Sequence, residues 1–162
     1  MLCEIAFAIL TSDAAAWYEP RREAMVEVCH ELLDHSASHA PEDAPPVDFD
    51  ALVVAMSWTE SRWMDDATGG AGEQGAMQVM PQYHCPSTGT CDYEEVGVRV
   101  ISAALSDSRA DTVREALCRY NTGSFYGDCA YARRVLRTYE QIQTAVAACD
   151  ESPACRVAAL TD

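Results

Sequence analysis

Among the 162 residues, one carboxylate stands where a carboxylate is least expected. Glu60 follows the apolar run ALVVAMSW, and at about 100° per residue helical spacing sets Val53 within roughly 20° of it. Met56, Trp63 and Met64 fall within about 60° on the same basis. The acid therefore shares the face that a helix turns toward its core. It also lies in the last turn, where the negative end of the helix dipole disfavours ionisation, and desolvation acts in the same direction. Such a carboxyl is expected to keep its proton near neutral pH and to serve as a general acid. The competing reading is a partly exposed helix-end glutamate paired with Arg62 or another arginine.

The elements that must carry Glu60 read as all-α, because apolar residues recur three and four apart and strand-like alternation is nearly absent. A first helix is expected over about sixteen residues, ending before Pro20, and a second from Arg21 to His35. Ala40 to Val47, with three prolines, is a connector. Asp48 or Asp50 caps a helix running to about Met64, followed by a glycine-rich loop from Asp65 to Gln74. A short helix is expected around Gly75 to Met80, stopping near Pro81. Asp92 with Glu95 resembles a capping box, which favours helix over strand for VGVRVI at 96–101. Val113 to Tyr120 marks a helix closed by Asn121 and Gly123, and Tyr131 to Val146 the last long one. The expected organisation is residues 1–46 as N-terminal helices packing on the domain, 47–148 as the catalytic domain, and 149–162 as a C-terminal extension tied by Cys149 and Cys155.

Composition removes several chemistries. The net charge is −15 and every basic residue is arginine, so Walker-type phosphate loops and lysine nucleophiles or Schiff bases are excluded. The acidic balance argues against nucleic-acid binding and anionic membrane surfaces. Leu2 to Leu10 is apolar but too short to span a bilayer, and with no basic residue before it a signal peptide is not evident. Either a signal has been removed or the stretch is the first helix, and the second is expected. Eight cysteines point to disulfides in an oxidising compartment, hence a periplasmic or extracellular setting. Nearness along the chain suggests Cys3–Cys29, Cys85–Cys91, Cys118–Cys129 and Cys149–Cys155, with only the second firm. His84 beside Cys85 admits a zinc reading, but no tight pair of CxxC motifs supports it, so no metal and no cofactor is expected.

The residues around Glu60 resemble a known family. TESRW, then Gly72, then GAMQVMP with Gly75 fifteen residues after Glu60, look like the first two motifs of the soluble-type lytic transglycosylases. YNTG at 120–123 resembles their third motif and YARRVLRTY at 131–139 their closing helix. The resemblance covers about Val47 to Ile142 and implies a goose-lysozyme-like helical domain, disulfide-stabilised in this chain. It implies that Glu60 is the catalytic acid/base and that Met77 and Gln78 line the sugar subsites, with Ala76 where leucine is common. It likewise assigns Tyr120 and Asn121 to the substrate, and makes Tyr131 the tyrosine whose hydroxyl points toward the acid. One departure is Gly69 where the family often has a serine hydrogen-bonded near the acid, with Thr68 beside it; Thr68 is counted with the substrate-binding residues.

The implied reaction cleaves the β-1,4 bond between N-acetylmuramic acid and N-acetylglucosamine in peptidoglycan glycan strands, forming a 1,6-anhydro ring. Glu60 then acts first as acid and next as base, and no water is consumed. A hydrolytic muramidase would need a second carboxylate about 5 to 9.5 Å away. Asp65, Asp66 and Glu73 are the candidates, with solvated loop acids as the alternative. A third reading is a weakly active wall-binding component of a virion or secretion machine. Trp58 and Trp63 could stack on sugars or lie in the core; Tyr83 and Tyr126 could border a groove. Arg133 and Arg134 could meet peptide carboxylates, or form a solvated helix face. His30, His35 and His39 do not share a metal-binding face. A monomer without membrane insertion is expected.

Overall fold

The computed structural model describes residues 1–124 and 129–152. Eight α-helices follow in order: α1 (Leu2–Leu10), α2 (Ala15–Tyr18), α3 (Arg22–Ser38), α4 (Phe49–Ser61), α5 (Pro81–His84), α6 (Tyr93–Leu105), α7 (Val113–Thr122) and α8 (Ala130–Glu151). No strand forms among the described residues; two isolated bridges, Thr68 with Gln74 and Gln74 with Val79, shape one loop. The all-α expectation therefore holds. No helix among them is long and apolar enough to cross a membrane.

Helix α4 is the axis of the molecule, buried continuously from Ala51 to Trp58. A helix apolar all round belongs in a core, and α3 and α8 enclose it. Each large side chain it buries, Leu52 and Met56 among them, stabilises the fold by about 2 kcal/mol. Its start is fixed by Asp48, whose carboxylate accepts from Ala51 N at 3.1 Å and from Gln143 Nε2 of α8 at 2.8 Å. The Asp48 N–H donates to Tyr139 Oη at 3.2 Å. Helix α6 packs on α3 and α7, and α1 on α3 and α8, so residues 1–46 share one apolar core with the rest of the chain.

Three local expectations need correction. The first helix stops at Leu10 and continues as short turns to Arg21, because Thr11 takes its hydroxyl back to Phe7 O at 2.7 Å and Pro20 follows. Residues 75–80 are not helical. Gly75 and Gln78 have φ of 75° and 49°, and Pro81 instead opens α5, where its missing N–H costs nothing. The capping box with both hydrogen bonds is Thr112 with Glu115; at Asp92 the carboxylate accepts from Glu95 N at 2.8 Å.

Two cysteine pairs, Cys3 with Cys29 and Cys85 with Cys91, lie at disulfide distance. Cys118 and Cys129 stand side by side as thiols rather than bonded, with Cys118 buried. The Cys149–Cys155 pairing involves Cys155, outside the described residues.

Candidate active site

The helix that carries Glu60 ends one residue after it, and the stop is abrupt. Arg62 and Trp63 both take left-handed backbone (φ 63° and 59°), a conformation that costs a residue with a Cβ about 1–2 kcal/mol. The chain is held there by Ser61, whose Oγ donates to Ala76 O and accepts from Met64 N, both at 3.0 Å. Trp63 folds back under α4, fully buried, and its Nε1 donates to Val54 O at 3.1 Å. The reversal removes the next helical turn, so Glu60 faces a cavity rather than more helix. Burial pushes its pKa up to about 7, and the negative charge of Glu73 adds to this; the Tyr131 hydroxyl and the Arg134 guanidinium hold it down.

The opposite wall is a loop from Ala67 to Val79. Gly69 N donates to Glu73 O at 2.9 Å, Gly75 N to Ala67 O at 3.0 Å, and Gln74 and Val79 exchange both backbone bonds. Gln78 is clamped by its amide, donating to Ala67 O at 3.2 Å and Gly75 O at 3.0 Å. A Cβ at position 69 would collide with the Glu73 carboxylate and lie 2.6 Å from Gln78 Oε1. Both neighbours are the far ends of flexible side chains, so a larger residue at 69 would push the Glu73 carboxylate and the Gln78 amide aside rather than break the loop. Glu73 is anchored in turn by the Ala71 N–H at 2.9 Å.

Between these walls lies a cavity of about 260 Å³ bordered by Glu60, Glu73, Gln78, His84, Tyr120 and Asn121. Of the residues marked by sequence, Glu60, Gln78, Tyr120 and Asn121 thus meet in one place. Tyr131 joins them from α8, stacked on Tyr120 with ring centres 6.4 Å apart. Its hydroxyl is buried and close enough to bias Glu60, yet closes no hydrogen bond within standard geometry, leaving a donor next to the acid. Burial and the adjoining Glu60 raise the Tyr131 pKa well above the ordinary tyrosine value, so the hydroxyl stays protonated.

Two marked residues fall elsewhere. Met77 is wholly buried against Gly97, and only its carbonyl serves the site, accepting from Tyr120 Oη at 2.7 Å. Thr68 is exposed on the loop and donates to Gln74 Oε1 at 3.2 Å. Trp58 and Trp63 are core residues, with ring centres 5.1 Å apart, so neither is available to a sugar. Arg133 is exposed, whereas Arg134 places its guanidinium over the Tyr131 ring at 5.9 Å. Tyr126 lies outside the described residues. His30, His35 and His39 each meet a carboxylate, respectively Glu4, Asp92 and Glu95. No group of three potential metal ligands gathers among the described residues.

Sequence reasoning overlooked His84 as a wall of the site. It lies one turn after Pro81 and directly before the Cys85–Cys91 pair, and that punctuation was the available signal. Comparisons of the chain with family models, with curated proteins and with solved structures returned no match.

Titration of carboxyl-labelled protein by NMR should show one glutamate with a midpoint near 7. In Tyr131→Phe that midpoint should move higher, because the hydroxyl favours the carboxylate form. A midpoint that stays or falls removes Tyr131 from the site.

Proposed function

We propose that this chain is a peptidoglycan lytic transglycosylase with a goose-lysozyme-like helical domain, acting outside the cytoplasm. The observation that carries the reading is Glu60, a carboxyl inside a cleft whose pKa burial raises to about 7, with the buried Tyr131 hydroxyl beside it. The Glu60 O–H gives its proton to the glycosidic oxygen, the C1–O bond breaks, and N-acetylglucosamine departs with that proton. The resulting carboxylate takes the proton of the muramic C6 hydroxyl, whose oxygen bonds to C1. Glu60 ends as it began, and the second product carries the 1,6-anhydro ring. Tyr131 steadies the carboxylate between the two transfers. Gln78 and Asn121 border the space in which the sugars would lie. The two cysteine pairs at disulfide distance support an oxidising compartment.

Hydrolysis is the second reading, favoured by one observation: Glu73 borders the same cavity as Glu60. Its carboxylate could activate a water in place of the C6 hydroxyl. Mass spectrometry of digested sacculi separates the two. Anhydro-muramic ends are expected, and Glu73→Gln should leave their proportion unchanged. New reducing ends that vanish in Glu73→Gln would make the enzyme a muramidase.

A further inference from the structure

Beside Tyr120 and Asn121 lies a second cavity of about 660 Å³, which shares the walls Met80, His84, Val100, Tyr120 and Asn121 with the first. We propose that this cavity is a carboxylate-recognising subsite for the peptide branch of the glycan, with Arg99 of α6 and Arg119 of α7 as its recognition groups. The proposal rests on the glycan-cleaving reading above.

Two arginines on neighbouring helices border this one space. The planar guanidinium presents paired N–H groups that match a carboxylate, and Arg119 is fixed in place through Nη1, which donates to Gly123 O at 2.9 Å. The cavity's own carboxylate, Asp107, is held by Arg109 through Nε at 2.9 Å and Nη2 at 2.6 Å, and Arg119 also acts on its charge, so two arginines of the lining stand against one carboxylate that an arginine outside it already binds. Val100, Ala103 and Ala104 form an apolar floor suited to small side chains such as alanine, and Tyr83, 75% exposed, stands at the rim.

Charge makes the location specific. A chain of net charge −15 repels an anionic peptide at a distance, and the cleft beside α3 presents Glu31, Asp34, Asp92 and Glu94. The second cavity instead sets two arginines against the single carboxylate of Asp107 next to the catalytic cleft, where a branch on the bound sugar would emerge. Anchoring that branch would fix which sugar residue sits over Glu60.

The test compares intact glycan strands with strands stripped of peptide by an amidase, using wild type, Arg99→Ala and Arg99→Glu. Arg99 is exposed and borders the second cavity but not the first, so these variants should fold and leave the chemistry intact. Wild type is expected to prefer intact strands. Arg99→Glu should lower kcat/KM on them about tenfold, the scale of one charge-assisted carboxylate contact, while cleaving stripped strands as before. An equal loss on both substrates, or none on either, overturns the subsite. If wild type cleaves neither substrate, the catalytic reading falls, and the subsite is then decided by NMR titration with the free stem pentapeptide. Binding that Arg99→Glu and Arg119→Gln both weaken supports it; no binding to wild type overturns it.

Discussion

Glu60→Gln is expected to abolish glycan cleavage while leaving the fold intact. General acid–base catalysis contributes about 10²–10⁴-fold, and in the proposed reaction one group performs both transfers, so a loss of about 10⁴-fold is expected. Glycan binding should survive, because glutamine keeps the shape and removes only the transferable proton. Activity of the parent should decline as pH rises through about 7, where Glu60 surrenders its proton. Stability should follow the same group. Its folded pKa lies above the unfolded value of 4.5, so the folded state binds more protons between these limits. Its contribution is complete below pH 4.5 and lost as pH rises through about 7. At about 1.4 kcal/mol per pH unit, the loss is on the order of 3 kcal/mol. Glu60→Gln should thus match the parent near pH 4 and exceed it in urea unfolding at pH 8. The difference between the two curves cancels every group they share. An inactive variant that is no more stable at pH 8 would mean the carboxyl is well solvated.

The second large effect is expected at Gly97, in the middle of α6. A Cβ there would overlap the Met77 side chain, 2.7 Å from its Cγ, and the overlap involves the root of that side chain rather than its flexible end. Met77 is fully buried and its carbonyl receives the Tyr120 hydroxyl, so it has no room to retreat. Gly97→Ala should destabilise by about 1–3 kcal/mol, the usual range for overpacking, despite alanine's better helix propensity. Gly97→Val should lower Tm by about 10 °C or more. Turnover should fall with it by about a hundredfold, the scale of a 1 Å misplacement, because Gln78 is the next residue along. Calorimetry of the alanine variant is the direct check: an unchanged Tm would show that the loop yields freely.

How far the site was legible in the sequence follows from which forces placed each residue. Glu60 was visible because an acid on an apolar stripe breaks a local pattern, and both burial and helix direction can be counted from spacing. Gln78, Asn121 and Tyr131 could be named only through resemblance, since nothing in their own neighbourhoods marks them. Met77 was misplaced for a physical reason. A methionine beside a glutamine that lines the cavity looks like part of that lining, but the positive φ at Gln78 turns the two side chains apart, and no pattern of residue types encodes that turn. The loop at 75–80 failed as a helix on the same account. The Gly69–Glu73 exchange is a contact between residues four apart in a non-helical loop, so periodicity could not reveal it. Long, strongly patterned helices such as α8 were readable because burial and hydrogen bonding agree along their whole length.

The left-handed pair after Glu60 has an implication for the history of this chain. Glycine at 62 would relieve strain at the cost only of the Arg62 guanidinium's contact with the Trp58 ring and its hydrogen bond to Trp58 O, and glutamine at 60 would relieve more, so ordinary mutational drift runs toward a flatter, quieter surface. A lineage that kept this scaffold only as architecture would slide down that slope within few substitutions. On the function proposed above, Arg62, Trp63 and Glu60 standing together are what selection for turnover would leave behind.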